Sequence, residues 1–436
     1  RLMAYLQSSP SRQSIAPGVT LICLPDARFK RVVFQVHFDR PMCEQRSART
    51  LLLPVLQQGT EQRPRRMDVA RALEENYGSQ LGLGATRVGE RHRVTFRASW
   101  VGDSFLPEGE SCLASMVQLG KELLESPLRG ENGEAFRADL VERERAQLIR
   151  QIESLPDDRP SWAEERFLAL MCKDEAYGRS PWGTKETVAA LTVDDLERAR
   201  QDILGHSEVT IVAVGPIEPS AIEQEMSRWF AEGGSAYSTE REICAPASTP
   251  HAHALREFRE ELPADQARFL FGFRYQPSEN ALSREAMALA ASILGGGSQG
   301  RLFRIIREEL SLAYGIYSGL RTLKGMLVVE AGIDAKAAPR VKEEVLTQVR
   351  DLSENGPKQG ELDLAIAGLM NNLQAVGDSA SSLAAYWERE HDLDLMRTPS
   401  ARAETAKQVT LQQISEAAQL WQADTVYLLA GPEQEA

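Results

Sequence analysis

The sequence predicts an α+β protein of two homologous lobes, each a largely antiparallel sheet covered by helices. Three observations support this: a length of 436 residues, a hydrophobic content of 42%, and an order of predicted elements that occurs twice. Such a length exceeds the usual size of one domain, and the composition is typical of globular proteins. A repeated order indicates a duplicated architecture. We expect a first lobe in residues 1–231, a linker in 232–254 and a second lobe in 255–436.

The first copy begins with a predicted strand at Val32–Phe38, whose apolar residues suit a half-buried sheet. A helix over SARTLLLPVLQQ follows and ends at Gly59-Thr60. The next helix, MDVARALEENYG, is expected to be capped by Asp68 and ended by Gly78. LGLGATR and RHRVTFRAS then predict a strand hairpin, and several amphipathic helices lead to a last strand, VTIVAVG.

The second copy repeats this order with RFLFGFRY as a strand and SREAMALAASIL as a helix. A glycine-rich turn, Gly295–Gly300, separates that helix from the helical segment RLFRIIREEL. No Gly-Lys-Ser/Thr follows, so the turn resembles no phosphate loop. We interpret it as a tight turn for close helix approach, with a substrate-contacting loop as the alternative. LAYGIYSGLR, a turn at Lys324-Gly325 and MLVVEAGI predict the second hairpin, and VYLLAG the last strand.

The linker is identified by its content of glycine, serine, proline and charge, in EGGSAYSTEREICAPASTP. His251 and His253 follow it, and their alternate spacing could place two metal ligands on one strand face. No carboxylate or thiol partner is near them in the sequence. We therefore interpret both as solvated linker residues.

Charge and composition exclude several classes of partner and site. A net charge of −13, with basic residues scattered among acidic ones, argues against nucleic acid, and we interpret the basic run Arg63–Arg66 as a solvated loop. No apolar run reaches about 18 residues and the first ten lack a signal-peptide pattern, so we expect a cytoplasmic protein without a membrane partner. Five cysteines without a C-x-x-C pair predict neither a disulfide framework nor a thiolate metal site; they are Cys23, Cys43, Cys112, Cys172 and Cys244.

The four other histidines do not form a metal-binding pattern. His37 is expected in a strand, His92 in a hairpin, His206 in a loop and His391 in a helix. None has a second ligand four residues further along the chain. We therefore expect no independent metal site in this chain.

Two such lobes in a chain of this size resemble the smaller subunits of the insulinase-like (pitrilysin) zinc-peptidase family, which includes processing peptidases. In that family the first helix carries His-x-x-Glu-His shortly before Gly-Thr. Two imidazoles and a later Glu hold Zn²⁺ with one position open, and the Glu between the histidines takes a proton from water. Here Gly59-Thr60 is present, but the motif positions read Thr50, Leu53 and Pro54. The resemblance implies that both histidines and the base are gone.

The later family helix resembles VERERAQLIRQIES. The family's third ligand falls near Gln147 or Leu148, so this ligand is expected to be lost as well. Glu142 and Glu144 lie close by, and we interpret them as exposed charges on the helix face. The segment YGRSPWGTKETVAALTVDDL is similar to a structural segment of the family, with Thr192 as a helix cap.

The strongest family signature of the second lobe is intact in LGGGSQGRLFRIIREELSLAYGIYSG. The resemblance implies that Arg307 and Tyr314 bind substrate next to the zinc lobe of another subunit. A guanidinium can bind a carbonyl or carboxylate through two hydrogen bonds, a phenol can donate one, and both could stabilise an oxyanion. The alternative is structural: Arg307 pairs with Glu308 or Glu309, and Tyr314 fills a strand position.

The resemblance therefore implies a catalytically inactive subunit of a heterodimeric zinc peptidase. Its partner would be a paralogous subunit with an intact His-x-x-Glu-His motif and the zinc, its substrate a peptide or unfolded protein, and no cofactor would bind this chain. LEENYGSQLGLGATRVGERHRVTF further resembles a bacterial subgroup associated with 5-aminopentanol modification of elongation factor P. One alternative is a scaffold or binding protein of the same fold. Another is a self-sufficient enzyme, for which the sequence offers no nucleophile and base pair.

Overall fold

A computed structural model describes residues 7–230, 254–263 and 266–432. The expected linker is largely outside these residues, so the boundaries at 231 and 254 stay a prediction. His251, His253 and Cys244 also lie outside the described residues. In the described ranges no helix is long and apolar enough to span a bilayer.

The first half of the described chain forms a six-stranded sheet with the order β1-β2-β6-β3-β5-β4. Only the pair β2 and β6 is parallel, and the other neighbours are antiparallel. Buried residues alternate with more exposed ones over residues 31–36 of β3 and 96–101 of β5, whereas residues 37–40 and 92–95 are buried without alternation. The strands are β1 (Ser11–Ala16), β2 (Val19–Pro25), β3 (Arg31–Pro41), β4 (Gln80–Val88), β5 (Arg91–Val101) and β6 (Glu208–Gly215).

In the second half the described residues form a five-stranded sheet with the order β7-β11-β8-β10-β9. β7 pairs with β11 in parallel, and the remaining pairs are antiparallel. This pair corresponds to the parallel pair of the first sheet, so the two copies share a topology as well as an element order. The strands are β7 (Arg256–Glu261), β8 (Ala267–Arg274), β9 (Ala313–Arg321), β10 (Met326–Ile333) and β11 (Gln422–Ala430).

Helices cover both sheets, which confirms the predicted α+β class. Thr192 caps its helix as predicted, since its hydroxyl accepts from the Asp195 N–H at 3.2 Å. In the first half the helices are α1 (Arg46–Leu56), α2 (Arg66–Glu75), α3 (Leu113–Glu125), α4 (Ala138–Ser154), α5 (Arg159–Met171), α6 (Lys185–Ala189), α7 (Val193–His206) and α8 (Pro219–Phe230). In the second half they are α9 (Ala281–Gly295), α10 (Ala338–Glu354), α11 (Gln359–Ala375), α12 (Ala380–Asp392), α13 (Pro399–Lys407) and α14 (Leu411–Gln419), with a π-helix at Phe303–Glu309.

Two local predictions were wrong. Asp68 is not the cap of α2: it is the third helical residue, and its carboxylate accepts from the N–H of Arg65, which stands at the cap position. Such a reciprocal arrangement satisfies the same free N–H groups from inside the helix. His206 is the last residue of α7 and not a loop residue.

One helix of each half packs against the sheet of the other half. From the first half, α5 packs Phe167 and Met171 against the second sheet, next to Val328. From the second half, α12 packs Trp387 on the first sheet, next to Val212. Apolar area removed from water stabilises by roughly 25 cal/mol per Å². The exchange therefore makes the two halves one folding unit.

A buried ion-pair network also joins the halves. The Arg93 guanidinium on β5, 1% exposed, binds both oxygens of Asp39 at 2.7 Å and reaches Glu388 and Asp392 of α12 at 2.7 Å. Arg91 binds the same two aspartates at 2.8 and 2.9 Å. Asp39 and Asp392 have lowered pKa values because these arginines outweigh the effect of burial.

The two hairpins meet at their tips. Lys324, at the turn between β9 and β10, is buried and forms ion pairs with Glu90 of the first hairpin and with Glu175. A Cβ atom on Gly89 would lie 3.4 Å from Leu323 Cβ, so the two turns are in contact. The hairpin tips therefore have a fixed relative position.

Candidate functional site

The three motif positions of α1 provide no metal ligands. Thr50 donates a hydrogen bond from its hydroxyl to the Pro181 carbonyl at 2.9 Å. Leu53, in the position of the general base, is 3% exposed and belongs to the hydrophobic core. Pro54 lies inside the helix and has no N–H for the Thr50 carbonyl. These groups do not fit Zn²⁺, because a neutral hydroxyl remains where the family supplies two imidazoles and a carboxylate.

Glutamine side chains occupy the end of α1. Gln57 donates to the Leu53 carbonyl at 3.2 Å, and Gln58 donates to the Pro54 carbonyl at 3.1 Å and to Glu144 at 3.2 Å. The last carbonyls of a helix lack intrahelical partners, so both glutamines stabilise its end. Glu144 is thus a half-buried contact between α4 and α1, and its interpretation as an exposed charge was wrong.

The other α4 residues considered near the third-ligand position make different contacts. Glu142 is exposed and pairs with Arg145, as expected of a helix-face charge. Gln147 is exposed and accepts a hydrogen bond from Arg150, and Leu148 is buried in the core. Neither residue at the expected third-ligand position is therefore a metal ligand. Nothing in the residue spacing pointed to the glutamines, since their role depends on how α1 packs on α4.

His92 is the histidine nearest to the motif. It is fully buried on β5, with Nε2 3.4 Å from the Thr50 hydroxyl. Burial, with Arg49 and Arg46 nearby, lowers its pKa to about 3, so it is neutral. Across the described parts of the chain, no three His, Cys, Asp or Glu side chains are grouped so that they could hold a metal ion.

In the second half the predicted site residues lie on irregular backbone. Arg307 belongs to the π-helix, in which Leu310 N donates to the Ile305 carbonyl at 2.9 Å, five residues back. Single π-turns occur frequently at functional sites. Ser311 follows with φ 53°, a left-handed conformation that is unfavourable for a residue with a Cβ atom.

The Arg307 side chain is 42% exposed. Its guanidinium lies 4.5 Å from the centre of the Phe303 ring, and Nε is 3.7 Å from Glu308. The long separation and the exposure make the ion pair weak. Part of the structural alternative, the pairing with Glu308, is thus present, but the aromatic contact leaves the guanidinium open to solvent.

Tyr314 is the extra residue of a β-bulge at the start of β9. The register joins Ala313 to Ile333 and Gly315 to Gly332, so Tyr314 faces no partner residue on β10. Bulges re-aim side chains and are frequent next to functional sites. β9 is an edge strand, Tyr314 is 61% exposed, and it lines a cavity of about 250 Å³. Tyr314 therefore does not fill a packed strand position.

The glycine-rich turn allows a close approach of backbone segments, as predicted. A Cβ atom on Gly295 would lie 2.7 Å from the backbone nitrogen of Ser318 in β9, and one on Gly300 would lie 2.8 Å from Gly295 Cα. Larger residues would push α9 away from the edge strand. The alternative, a substrate-contacting loop, stays a prediction.

The two sets of predicted site residues lie on separately packed elements. α1 packs against α4, α6, α7 and β4 in the first half, whereas the π-helix packs against β9 in the second. Each set thus sits within its own half of the described chain.

Comparisons with known proteins agree with this geometry. Residues 190–369 match the family model of the peptidase M16 inactive domain. The chain is 24% identical over 435 residues to a probable inactive metalloprotease, YmfF of Bacillus subtilis, with 99% of both chains covered. It is 26% identical over 247 residues to an uncharacterized zinc protease of Streptomyces coelicolor, covering 56% of this chain and 52% of that protein.

Solved structures show the same fold. A conserved protein from Enterococcus faecalis superimposes with a TM-score of 0.87 at 21% identity, covering 98% of this chain and 100% of that one. A peptidase M16 inactive domain from Pseudomonas fluorescens gives a TM-score of 0.80 at 17% identity, covering 98% and 99%.

Proposed function

This chain belongs to the insulinase-like (peptidase M16) family as an inactive metalloprotease homologue, and we propose that it is the non-catalytic subunit of a heterodimeric zinc peptidase. The partner would be a paralogous subunit with an intact His-x-x-Glu-His motif and the zinc ion. This chain would supply Arg307 and Tyr314 to a composite site. The association with modification of elongation factor P stays a prediction.

One observation carries the proposal: Tyr314 has no register partner in a bulge and Arg307 is exposed on a π-helix, while Leu53 of the first-half motif lies in the core. Irregular backbone costs on the order of 1–3 kcal/mol at each unfavourable residue, so its presence favours a functional role. The separation of the two sets within one chain supports a site completed by a second chain.

In such a composite site this chain would position the peptide. A guanidinium can hold a peptide carbonyl or carboxylate through two hydrogen bonds, and a phenol can donate one more. Donors that reach an oxyanion as it develops lower the barrier to reaction. A peptide could lie along an exposed sheet edge, where backbone hydrogen bonds provide affinity.

Reconstitution tests the proposal. The purified chain is expected to hold no stoichiometric zinc and to have no peptidase activity. Mixing it with the His-x-x-Glu-His paralogue is expected to create activity, and Arg307→Ala in this chain to lower kcat/KM at least about tenfold, since hydrogen bonds to charged groups contribute about 1.5–3 kcal/mol. Arg304→Ala, on the same π-helix and paired with Glu309, is the matched control.

Tyr314→Phe removes a single hydroxyl and is expected to lower kcat/KM by about tenfold or less. Tyr317→Phe is its control, because Tyr317 lies on the same strand and donates to Glu330 at 2.6 Å. The proposal fails if the paralogue is equally active alone. If heterodimers form but both variants keep full activity, a scaffold role replaces the catalytic one.

A further inference from the structure

A cavity of about 300 Å³ in the second half lies apart from Arg307 and Tyr314. It is lined by α9, α12, α13, α14, the loop between α12 and α13, and the end of the second sheet. Four arginines line it, together with three glutamates and an apolar wall. The arginines are Arg284, Arg389, Arg397 and Arg402; the glutamates are Glu285, Glu390 and Glu416; and the apolar wall includes Pro277, Met287, Leu320, Leu393 and Leu420.

Two of the arginines are neutralised inside the protein. Arg397 binds Glu285 at 2.7 Å and Glu390 at 3.1 Å, and Arg402 binds Glu285 at 2.8 Å. Both glutamates are 1% exposed, so these pairs are fixed parts of the wall. Glu416, the third glutamate, is exposed and accepts a hydrogen bond from Gln412.

The other two arginines have no carboxylate of their own. Neither Arg284 nor Arg389 forms an ion pair with a residue that the structure describes, and Arg284 Nε is buried without a hydrogen-bond partner there. Burial, followed by the repulsion of Arg397, lowers the pKa of Arg284. Burial and Arg402 lower that of Arg389. The cavity therefore has excess positive charge in a protein whose net charge is −13.

Tyr275 adds a second, independent observation. Its side chain is 5% exposed and lines the cavity, yet its hydroxyl has no hydrogen-bond partner among the described residues. Burial raises its pKa to about 12, so it remains a neutral donor. Buried polar groups nearly always have partners, and an unsatisfied one costs about 1–3 kcal/mol. A bound acceptor would satisfy it.

The loop that carries Arg397 is also held in an unfavourable conformation. Asp394 and Met396 have φ values of 52° and 47°, in the left-handed region. The buried Glu390 fixes this loop by accepting from the N–H and the guanidinium of Arg397. The cavity wall is thus preorganised.

We propose that this cavity binds a small organic anion. Its carboxylate or phosphate group would lie at Arg284, Arg389 and Tyr275, and its apolar body against the apolar wall. Guanidinium groups match both head groups, because their planar N–H groups can bind two oxygens at once. Four arginines against three carboxylates leave one net positive charge, which favours a bound anion. The site is independent of the proposed composite peptidase site.

The test measures binding of matched probes to the full chain. Phenyl phosphate and benzoate carry the two head groups on the same ring, and benzamide is the neutral control. At constant ionic strength, at least one anion is expected to raise the melting temperature with saturation, because a ligand that binds the native state stabilises it. Phenyl phosphate alone would identify a phosphate ester, and benzoate alone a carboxylate.

Variants then locate the site by calorimetry. Arg389→Gln is expected to raise Kd at least about tenfold, and Tyr275→Phe by about threefold. Arg340→Gln, at an exposed arginine of α10 outside the cavity, is expected to leave Kd unchanged. The inference is overturned if neither anion binds better than benzamide, or if Arg389→Gln binds as tightly as the unaltered chain.

Discussion

The regions that hold the predicted site residues differ between the two halves. In the first half, α1 holds Leu53 in the core and Pro54 inside the helix, and its end is closed by hydrogen bonds from glutamines. In the second half, Arg307 and Tyr314 remain exposed on a π-helix and a bulge. The first region is packed into its half, whereas the second has exposed side chains on irregular backbone.

This difference predicts how substitutions in each half affect the free energy of unfolding and the binding of partners. Changes at buried positions of the first half are expected to lower the free energy of unfolding. Changes at exposed positions of the second half are expected to leave that free energy unchanged and to affect only what binds there. Each prediction below tests one side of this comparison.

The largest expected effect is that of Arg93→Met. The variant removes the buried guanidinium that binds Asp39 and Asp392 and leaves Arg91 as the remaining partner of both. Breaking a buried pair on one side costs about 3–5 kcal/mol. Urea denaturation measures the change. Arg97→Met, at an exposed arginine of the same strand, is the control, expected within about 0.5 kcal/mol. If Arg93→Met lowered the free energy of unfolding by less than about 1 kcal/mol, the ion-pair network would not be important for holding the two halves together.

Leu53→Ala tests whether the position of the lost general base is now core. Truncating a buried leucine costs about 2–5 kcal/mol, through lost apolar burial and the cavity left behind. Leu364→Ala provides the comparison, because Leu364 on α11 is 55% exposed. If Leu53→Ala and Leu364→Ala had equal denaturation midpoints, position 53 of α1 would be open to solvent and not part of the core.

The contribution of His92 to stability can be measured from the pH dependence of the free energy of unfolding. Its native pKa of about 3 lies below the unfolded value of about 6.5, so between these values the unfolded chain binds a proton that the native state does not. Stability is therefore full above about pH 6.5 and is lost as the pH falls toward 3. By pH 5 the loss is about 2 kcal/mol.

His92→Gln is expected to reduce the stability difference between pH 7 and pH 5 by that amount. His37 and His391 also have lowered pKa values, so the comparison is the difference between variant and unaltered chain. Identical slopes for His92→Gln and the unaltered chain would mean that His92 is protonated in the native state.

The sequence predicted strands rich in apolar residues, such as β3, β5 and β10, and it missed β1, β2 and β7. β1 and β7 have the polar sequences SRQSIA and REFREE and lie at sheet edges. An edge strand needs few apolar residues, and charges there prevent edge-to-edge aggregation. Polar sequence therefore explains the two missed edge strands, but not β2, whose sequence VTLICLP is apolar and mostly buried.

The candidate site was predictable wherever it depended on spacing along the chain. Gly59-Thr60 located Thr50, Leu53 and Pro54, and all three lie on one helix. The bulge at Tyr314 was not predictable, because it depends on how β9 pairs with β10. No spacing pattern in the sequence indicated the π-helix. The arginine cavity was missed for a similar reason: Arg284 and Arg389 belong to distant helices, and only packing brings them to one wall.

The smallest expected effect on stability tests the second half directly. Arg307→Ala and Tyr314→Phe should each change the free energy of unfolding by less than about 0.5 kcal/mol, because both side chains are largely exposed and the 3.7 Å contact with Glu308 is weak. Urea denaturation of both variants, beside Arg304→Ala and Tyr317→Phe, measures this. A loss above about 1 kcal/mol for Arg307→Ala would mean that its contact with Phe303 holds the π-helix in place. The irregular backbone would then have a structural cause, and the contrast between the two halves would no longer support a composite site.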